Sequence, residues 1–431
     1  MPKMSFIGSI HGIERGRLGV IYKLAVLFYI LAVVIFSYRD GLTAVAKSAA
    51  FILVGLFIFR GIVHGERIFF PIEYRLLFGW LLIAVVSSAI SASPGTALAR
   101  VLTLLQVYPI AFVISNLIIW NGDTRFYWLS IAGAAVLSGV ITLLYPAQFT
   151  DLDGRTFGTV ENANTFAALL AVSFGVILSR MVGKRSVLER VLCLLLAAFF
   201  VYLVGRTGSR MGMLASIAAA MTVVICFQLG SRGRILGRTF WLVVFGGVIL
   251  AGGAFVLTSG EFAERYAALQ MSVETGDFRS SGDMSLYGRA RLYQKGFEIF
   301  LTSPLLGVGL DVFRTAQLEF RTIGNNSHSN YLEILAGTGI AGLLCYFSMY
   351  YFWWGRLLKA KSLLSDPTYA VHITTAFALA VILLVMDVAW VSYYEKLTLL
   401  VVAGLIAEAN LVSRVEAQKR RESQGFRTLG V

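Results

Sequence analysis

Of the four histidines in the 431 residues, one has a setting suited to chemistry. His328 lies in Asn325-Asn326-Ser327-His328-Ser329-Asn330, which runs straight into an apolar segment beginning at Tyr331. The positive end of a helix starting there disfavours imidazolium and keeps the ring neutral, able to accept a proton. The competing reading is a helix-capping histidine, and Ser327, Ser329 and Asn330 are cap candidates in either case. The second feature is Gly205-Arg206-Thr207-Gly208-Ser209-Arg210, a tight connection between two apolar runs. An arginine presents a planar fork of donors to phosphate oxygens, so Arg206 and Arg210 can clamp a phosphate. Arg210 is the stronger of the two because a helix N-terminus also attracts anions. Snorkelling of both arginines to lipid headgroups is the plainer explanation.

Two further segments carry candidate residues. Between Ser285 and Thr302, Leu286, Ala290, Tyr293, Phe297, Phe300 and Leu301 recur at helical spacing as one apolar stripe. This helix is expected to lie on the membrane surface and to stop at Ser303-Pro304. Its phase sets Arg289 beside the stripe and Arg291, Lys295 and Glu298 on the far, wet side. Arg289 is therefore the better phosphate ligand, while Arg291 can instead pair with Glu298 or touch lipid. The segment 146–164 contributes Arg155 and a D-x-D, Asp151 and Asp153. That carboxylate pair is either a divalent-cation site or a solvated turn closing at Gly154, and the turn is the preferred reading. Asn162 or Asn164 is expected to cap the next helix.

The elements that must position these residues are membrane spans. Hydrophobic residues make up 57% of the chain and charged residues 14%, a balance that excludes a soluble enzyme, a disordered chain and a fibrous repeat. Apolar runs of roughly 17–22 residues, the length that crosses a bilayer, recur near 20–38, 42–59, 76–92, 98–119, 125–145, 162–179, 188–204, 211–229, 239–258, 331–353, 370–386 and 396–411. Pro109 alone lies deep within one and is expected to kink it. Ala44-Val45-Ala46 has the small-residue pattern of a cleavage site but sits inside the second apolar stretch, so the first run is read as a span.

Orientation follows from basic residues. With both termini in the cytoplasm, 22 of the 37 Lys and Arg fall on cytoplasmic segments, six on short outer loops or outer helix ends, and seven in the long loop 259–330. The candidate residues then all face outward. The net charge of +13 is scattered in short clusters between apolar runs, a topology signal rather than a nucleic-acid surface. Cys193, Cys226 and Cys345 all fall within apolar runs and are expected to pack between helices. No phosphate-binding P-loop, G-x-S-x-G elbow, H-E-x-x-H or Cys-His pair occurs. The spans lack a ladder of charges, which counts against a solute transporter.

Taken in order, five segments resemble the O-antigen ligase and polymerase superfamily of polytopic membrane glycosyltransferases. They are Gly154-Arg155-Thr156-Phe157-Gly158 with Asn162-Ala163-Asn164, Gly208-Ser209-Arg210, Gly288-Arg289-Ala290-Arg291, Ser303-Pro304-Leu305-Leu306-Gly307-Val308-Gly309, and His328-Ser329-Asn330-Tyr331 continuing to Gly339 and Gly342. The resemblance covers about residues 150–350, and its last segment is the most specific. Many relatives read His-Asn where this chain has His328-Ser329-Asn330.

The resemblance implies an all-α, twelve-span inverting glycosyltransferase with one large helical extracytoplasmic loop, in a bacterial inner membrane. It would move a glycan from an undecaprenyl-diphosphate carrier to an acceptor hydroxyl, without cofactor, nucleotide sugar or metal. His328 would be the base on the acceptor hydroxyl. Arg210 and Arg289 would hold the diphosphate, with Arg206, Arg155 and Arg291 as secondary candidates and Asn330 and Ser327 in support. Polymerisation of exopolysaccharide or O-antigen repeat units is the first expectation and ligation to lipid A core the second. Partners would be the lipid-linked oligosaccharide and membrane lipid, with a chain-length regulator and a flippase; nucleic acid is not among them. Three regions are expected: N-terminal spans over 1–150, a ligase/polymerase-like core over 151–353, and C-terminal spans with a basic tail over 354–431.

Overall fold

The computed structural model describes residues 14–39, 41–151, 154–160, 162–181, 183, 186–230, 284–316 and 326–428. These residues form helices and no named strand, apart from a single bridge between Thr150 and Thr156. Eleven helices among them are long and apolar enough to cross a membrane. They correspond one for one to eleven of the twelve predicted spans; the twelfth, 239–258, lies outside the described residues.

In chain order the helices are α1 (Glu14–Leu31, continued by a π-turn Ala32–Phe36), α2 (Thr43–Val63), α3 (Ile72–Ala89), α4 (Pro94–Asn121), α5 (Thr124–Leu144), α6 (Ala163–Arg180), α7 (Val187–Arg206) and α8 (Arg210–Gly230). After the gap come α9 (Met284–Thr302), α10 (Val312–Ala316), α11 (Asn330–Lys359), α12 (Pro367–Met386) and α13 (Lys396–Thr428). Local chemistry sets several ends. Gly122 closes α4 at φ 64°, a left-handed conformation that costs glycine least. Asp123 caps α5 by accepting from the Phe126 N–H at 3.3 Å. Ser186 and Glu189 form a reciprocal capping box on α7. α4 runs through Pro109 without ending.

At three of the helix ends that differ from the hydropathy reading, charged groups are paired. α3 starts early because its fully buried Glu73 meets Arg356 at 2.7 Å. α11 extends to Lys359, and Arg356 also donates to Asn410 at 2.6 Å. α13 outlasts its apolar stretch through an i,i+4 pair, Arg420 with Glu416 at 2.7 Å, and an Arg420 bond to the Lys359 carbonyl.

α6 is the centre of the bundle, almost wholly buried, with α7, α8 and α12 packed around it. Small residues permit the close approach: a Cβ on Gly212 would stand 2.6 Å from the Ala167 Cβ, and one on Gly404 2.4 Å from the Trp128 ring. Cys193 and Cys226 are buried between helices, and the Cys345 thiol donates to the Leu76 carbonyl.

One span is broken. Gly339 has φ 65° and ψ −169°, so α11 is interrupted inside its first half. The segment 303–309 is threaded into the break. The Val308 and Gly309 N–H groups donate to the carbonyls of Ala336 and Gly337, and the Ile340 and Ala341 N–H groups donate to those of Pro304 and Leu305. Ser87 of α3 completes the joint, donating to the Gly337 carbonyl at 2.6 Å and accepting from Gly309 N–H at 2.9 Å. The backbone groups freed by the break are thereby satisfied, as a bilayer requires.

No room remains at this joint. A Cβ on Gly339 would lie 2.3 Å from the Leu305 oxygen, and one on Gly307 2.4 Å from the Gly337 carbonyl carbon. Gly339→Ala is expected to lose about 1–3 kcal/mol, the usual cost of overpacking combined with left-handed backbone. The check is the melting temperature of the solubilised protein, with Gly61→Ala as control, since a Cβ there meets nothing within 4 Å.

The spans alternate, so the bundle has two chemically distinct ends. One gathers Arg60, Arg75, Arg125, Arg180, Arg356, Lys359 and Arg420, the segments read as cytoplasmic. The other gathers the start of α6, the α7–α8 turn, α9 and the start of α11, which carry every candidate site residue.

Candidate active site

His328 sits one residue before the N-cap of α11, and its own backbone is left-handed at φ 54°. Histidine tolerates this region better than most residues, and the turn is held on both sides. The His328 N–H donates to Asn326 Oδ1 at 3.0 Å. Ser327 is fully buried; its N–H donates to Glu333 Oε2 at 2.9 Å, and its hydroxyl donates to the Ser329 carbonyl at 2.8 Å. Capping of α11 thus differs from expectation: the Ser329 side chain makes no cap bond, and the orphan N–H of Asn330 is taken by the Asp387 carbonyl at 2.8 Å.

Asn330 is wholly buried and acts as a staple between three segments. Its amide donates to Asp387 Oδ2 at 3.1 Å, and its oxygen accepts from the N–H groups of Ser392 and Tyr393 at 3.2 and 3.0 Å. Asp387, just past α12, also accepts from the Ser392 and Tyr350 hydroxyls. Burial pushes its carboxyl up to about 7. The loop bearing His328 is therefore fixed to the ends of α12 and α13. Sequence reading overlooked Asp387; its only visible signal was a carboxylate directly after the long apolar run 370–386.

α9 lies against the first turns of α11, but by a face different from the predicted stripe. Its buried side is Gly288, Leu292, Gly296 and Ile299, packed on Phe313, Leu332 and Ala336. Phe297 and Leu301, predicted for the apolar stripe, are 53% and 58% exposed. Two glycines let α9 approach α11 closely: a Cβ on Gly296 would fall 2.3 Å from the Leu332 side chain. A count of large apolar residues does not register that contact. Tyr293 fixes the helix from its flank, donating to the Val388 carbonyl at 2.8 Å.

On this helix Arg289 is half-buried beside the packed face and Arg291 is exposed. The Arg289 charge reaches the His328 imidazole. Burial first, and Arg289 second, hold that imidazole below the ordinary histidine value of 6.5. Glu298, the partner foreseen for Arg291, receives Lys295 at 3.5 Å and the Gln294 amide at 3.2 Å.

The other arginines form a second group at the same end of the bundle. Arg155 Nε donates to the Thr207 carbonyl at 3.1 Å, and the Thr156 N–H to the Arg206 carbonyl at 3.0 Å. The Ser209 hydroxyl donates to Asn164 Oδ1 at 2.9 Å. Asn162, rather than Asn164, caps α6. The 154–160 segment, the α7–α8 turn and the start of α6 are thus one assembly. It presents Arg155 and Arg210 half-buried and Arg206 exposed. Asp151 Oδ1 accepts the Arg155 N–H at 2.7 Å, which uses that carboxylate in the turn; Asp153 lies outside the described residues. α12 packs on α6, α8 and α11 and so ties the two groups together.

A third cluster was missed altogether. Arg100 donates to both carboxylate oxygens of Asp311, at 3.0 and 3.1 Å, and its guanidinium stacks 4.1 Å over the Tyr394 ring. Read from sequence, Arg100 was only a charge in an outer loop. It fastens the segment after Gly309 to α4 and to the α12–α13 connection.

Residues 192–347 match the family described as O-antigen ligase. The matched stretch contains Arg206, Arg210, Arg289, Arg291, Ser327, His328 and Asn330, and excludes Arg155. No curated protein matches the chain.

Proposed function

We propose that this chain, whose residues 192–347 carry the O-antigen ligase match, is a glycan polymerase that uses a lipid-diphosphate donor. The match itself supports O-antigen ligase or polymerase type chemistry at the coarser level. The observation that supports base-and-cation chemistry, for polymerase and ligase alike, is a half-buried His328 within reach of the Arg289 charge, at the end of the bundle that also holds Arg210. A half-buried imidazole beside a cation stays neutral and can accept a proton.

In this reading the acceptor hydroxyl loses its proton to His328 as its oxygen attacks the anomeric carbon. The bond from that carbon to the diphosphate oxygen breaks, the carbon inverts, and the electron pair leaves with the lipid diphosphate. Arg210 and Arg289 balance the charge that develops there, with Arg155, Arg206 and Arg291 as further donors. The leaving group is already a good one, so orientation, a base and cations account for the chemistry. The carrier is undecaprenyl diphosphate, and the site faces away from the cytoplasm in a bacterial inner membrane with both termini inside.

Transfer of finished glycan to lipid A core is the second reading, favoured by the O-antigen ligase description of the matched family. A transporter fits less well. Among the described residues the buried carboxylates engage neighbouring groups: Glu73, Glu333 and Asp387 do so near helix ends, and Glu408 meets Trp128 and His372. A deletion strain separates the first two. Glycan reduced to single repeat units is expected; intact polymer retained on the lipid carrier would mean a ligase.

A further inference from the structure

The basic end of the bundle, opposite His328, contains a pocket of about 270 Å³ between the start of α5, the end of α6 and the first turns of α12. Its polar lining includes Arg125, Arg180, His372 and Thr368, and no carboxylate is among the described lining residues. Trp128 and Val371 supply apolar wall.

Among the described residues, two neighbouring acidic groups pair with lysines outside the lining. Asp123 meets Lys23 at 3.2 Å, and Asp366 meets Lys419 at 3.1 Å. Glu408 sits behind the wall, accepting from Trp128 Nε1 at 2.8 Å and contacting His372 Nδ1 at 2.6 Å. That contact fixes the imidazole through its Nδ1. The cavity therefore brings together two guanidinium groups, a fixed imidazole and a hydroxyl. This donor set matches the oxygens of a phosphate group. The volume falls just under the range of about 300–1,000 Å³ usual for small-molecule sites. That space accommodates a compact phosphate head.

We infer that this pocket is a binding site for a phosphate group, held by Arg125 and Arg180, separate from the site around His328. The group is either a free phosphate or diphosphate or the headgroup of an anionic lipid. The inference does not depend on the glycosyltransferase reading.

The test uses the full chain in nanodiscs of phosphatidylcholine, titrated with inorganic phosphate and with pyrophosphate, and in nanodiscs containing phosphatidylglycerol. Melting temperature is the readout. Saturable stabilisation in phosphatidylcholine identifies a soluble ligand; stabilisation only with phosphatidylglycerol identifies a headgroup. Arg180→Gln is expected to weaken the effect on the order of tenfold, the worth of one charge-assisted hydrogen bond. Arg125→Gln, at an exposed position, should do the same without disturbing the fold. A double Arg210→Gln, Arg289→Gln background removes the diphosphate ligands proposed beside His328, and the stabilisation that remains there is expected to be lost with the pocket variants. Absence of stabilisation with all three probes overturns the inference. So does stabilisation that survives both pocket variants in that background, or that is wholly lost in the double variant alone.

Discussion

His328→Asn is expected to lower glycan transfer by about 10²–10⁴-fold, the span usual for removing a positioned general base. Asparagine is the informative replacement because the His328 backbone is left-handed. Asparagine accepts that conformation, so the turn is preserved while the proton acceptor is removed. His328→Gln should be nearly as poor, since an amide hydrogen-bonds but takes no proton at neutral pH. The assay is product formed at matched protein level, with lipid-linked donor binding measured separately. Lost turnover with retained binding is the expected pattern. An active, well-expressed His328→Asn protein would remove the imidazole from the mechanism.

Arg289→Ala is expected to cut kcat/KM by about 10–100-fold, the worth of charge-assisted hydrogen bonds to phosphate oxygens. Arg289→Lys should recover little, because a point charge does not reproduce the planar fork. Arg291→Ala, at the exposed position, should change the rate less than Arg289→Ala does. A second readout follows from the imidazole. Its proton affinity is depressed by burial and then by Arg289, so the base form is present at neutral pH and activity falls only as pH drops through a value below 6.5. Removing Arg289 takes away a repulsion toward imidazolium, so the acid limb of the pH–rate profile should move upward. Burial remains, and the shift should stop short of the ordinary value. An unchanged acid limb, or a larger loss in Arg291→Ala than in Arg289→Ala, would overturn the pairing.

The spans were legible because a bilayer demands long apolar runs, and each described run became a helix, α13 alone running far past its apolar stretch. Arg289 is half-buried and Arg291 exposed, as expected, but against a packed face other than the stripe from which that expectation was drawn. What periodicity could not supply were contacts made by small or distant groups. The packed face of α9 depends on Gly288 and Gly296, which carry no hydrophobic weight. Asn330 meets Asp387 and Ser392 across about sixty residues of chain, and Arg100 meets Asp311 across more than two hundred. The break in α11 was invisible because Gly337-Thr338-Gly339 reads as ordinary close packing within a span.

That break bears on what makes the sequence recognisable. Gly307, Gly309 and Gly339, together with Pro304 and Ser303, are the residues of an interlock between two backbones, not of a reaction. Any enzyme that builds the same mortise needs the same glycines, whatever sugar it handles. Resemblance at these positions therefore testifies to shared carpentry and is silent about the acceptor. The residues that distinguish joining a repeat unit from capping a lipid belong to the surfaces around the interlock, where no steric rule fixes the side chain.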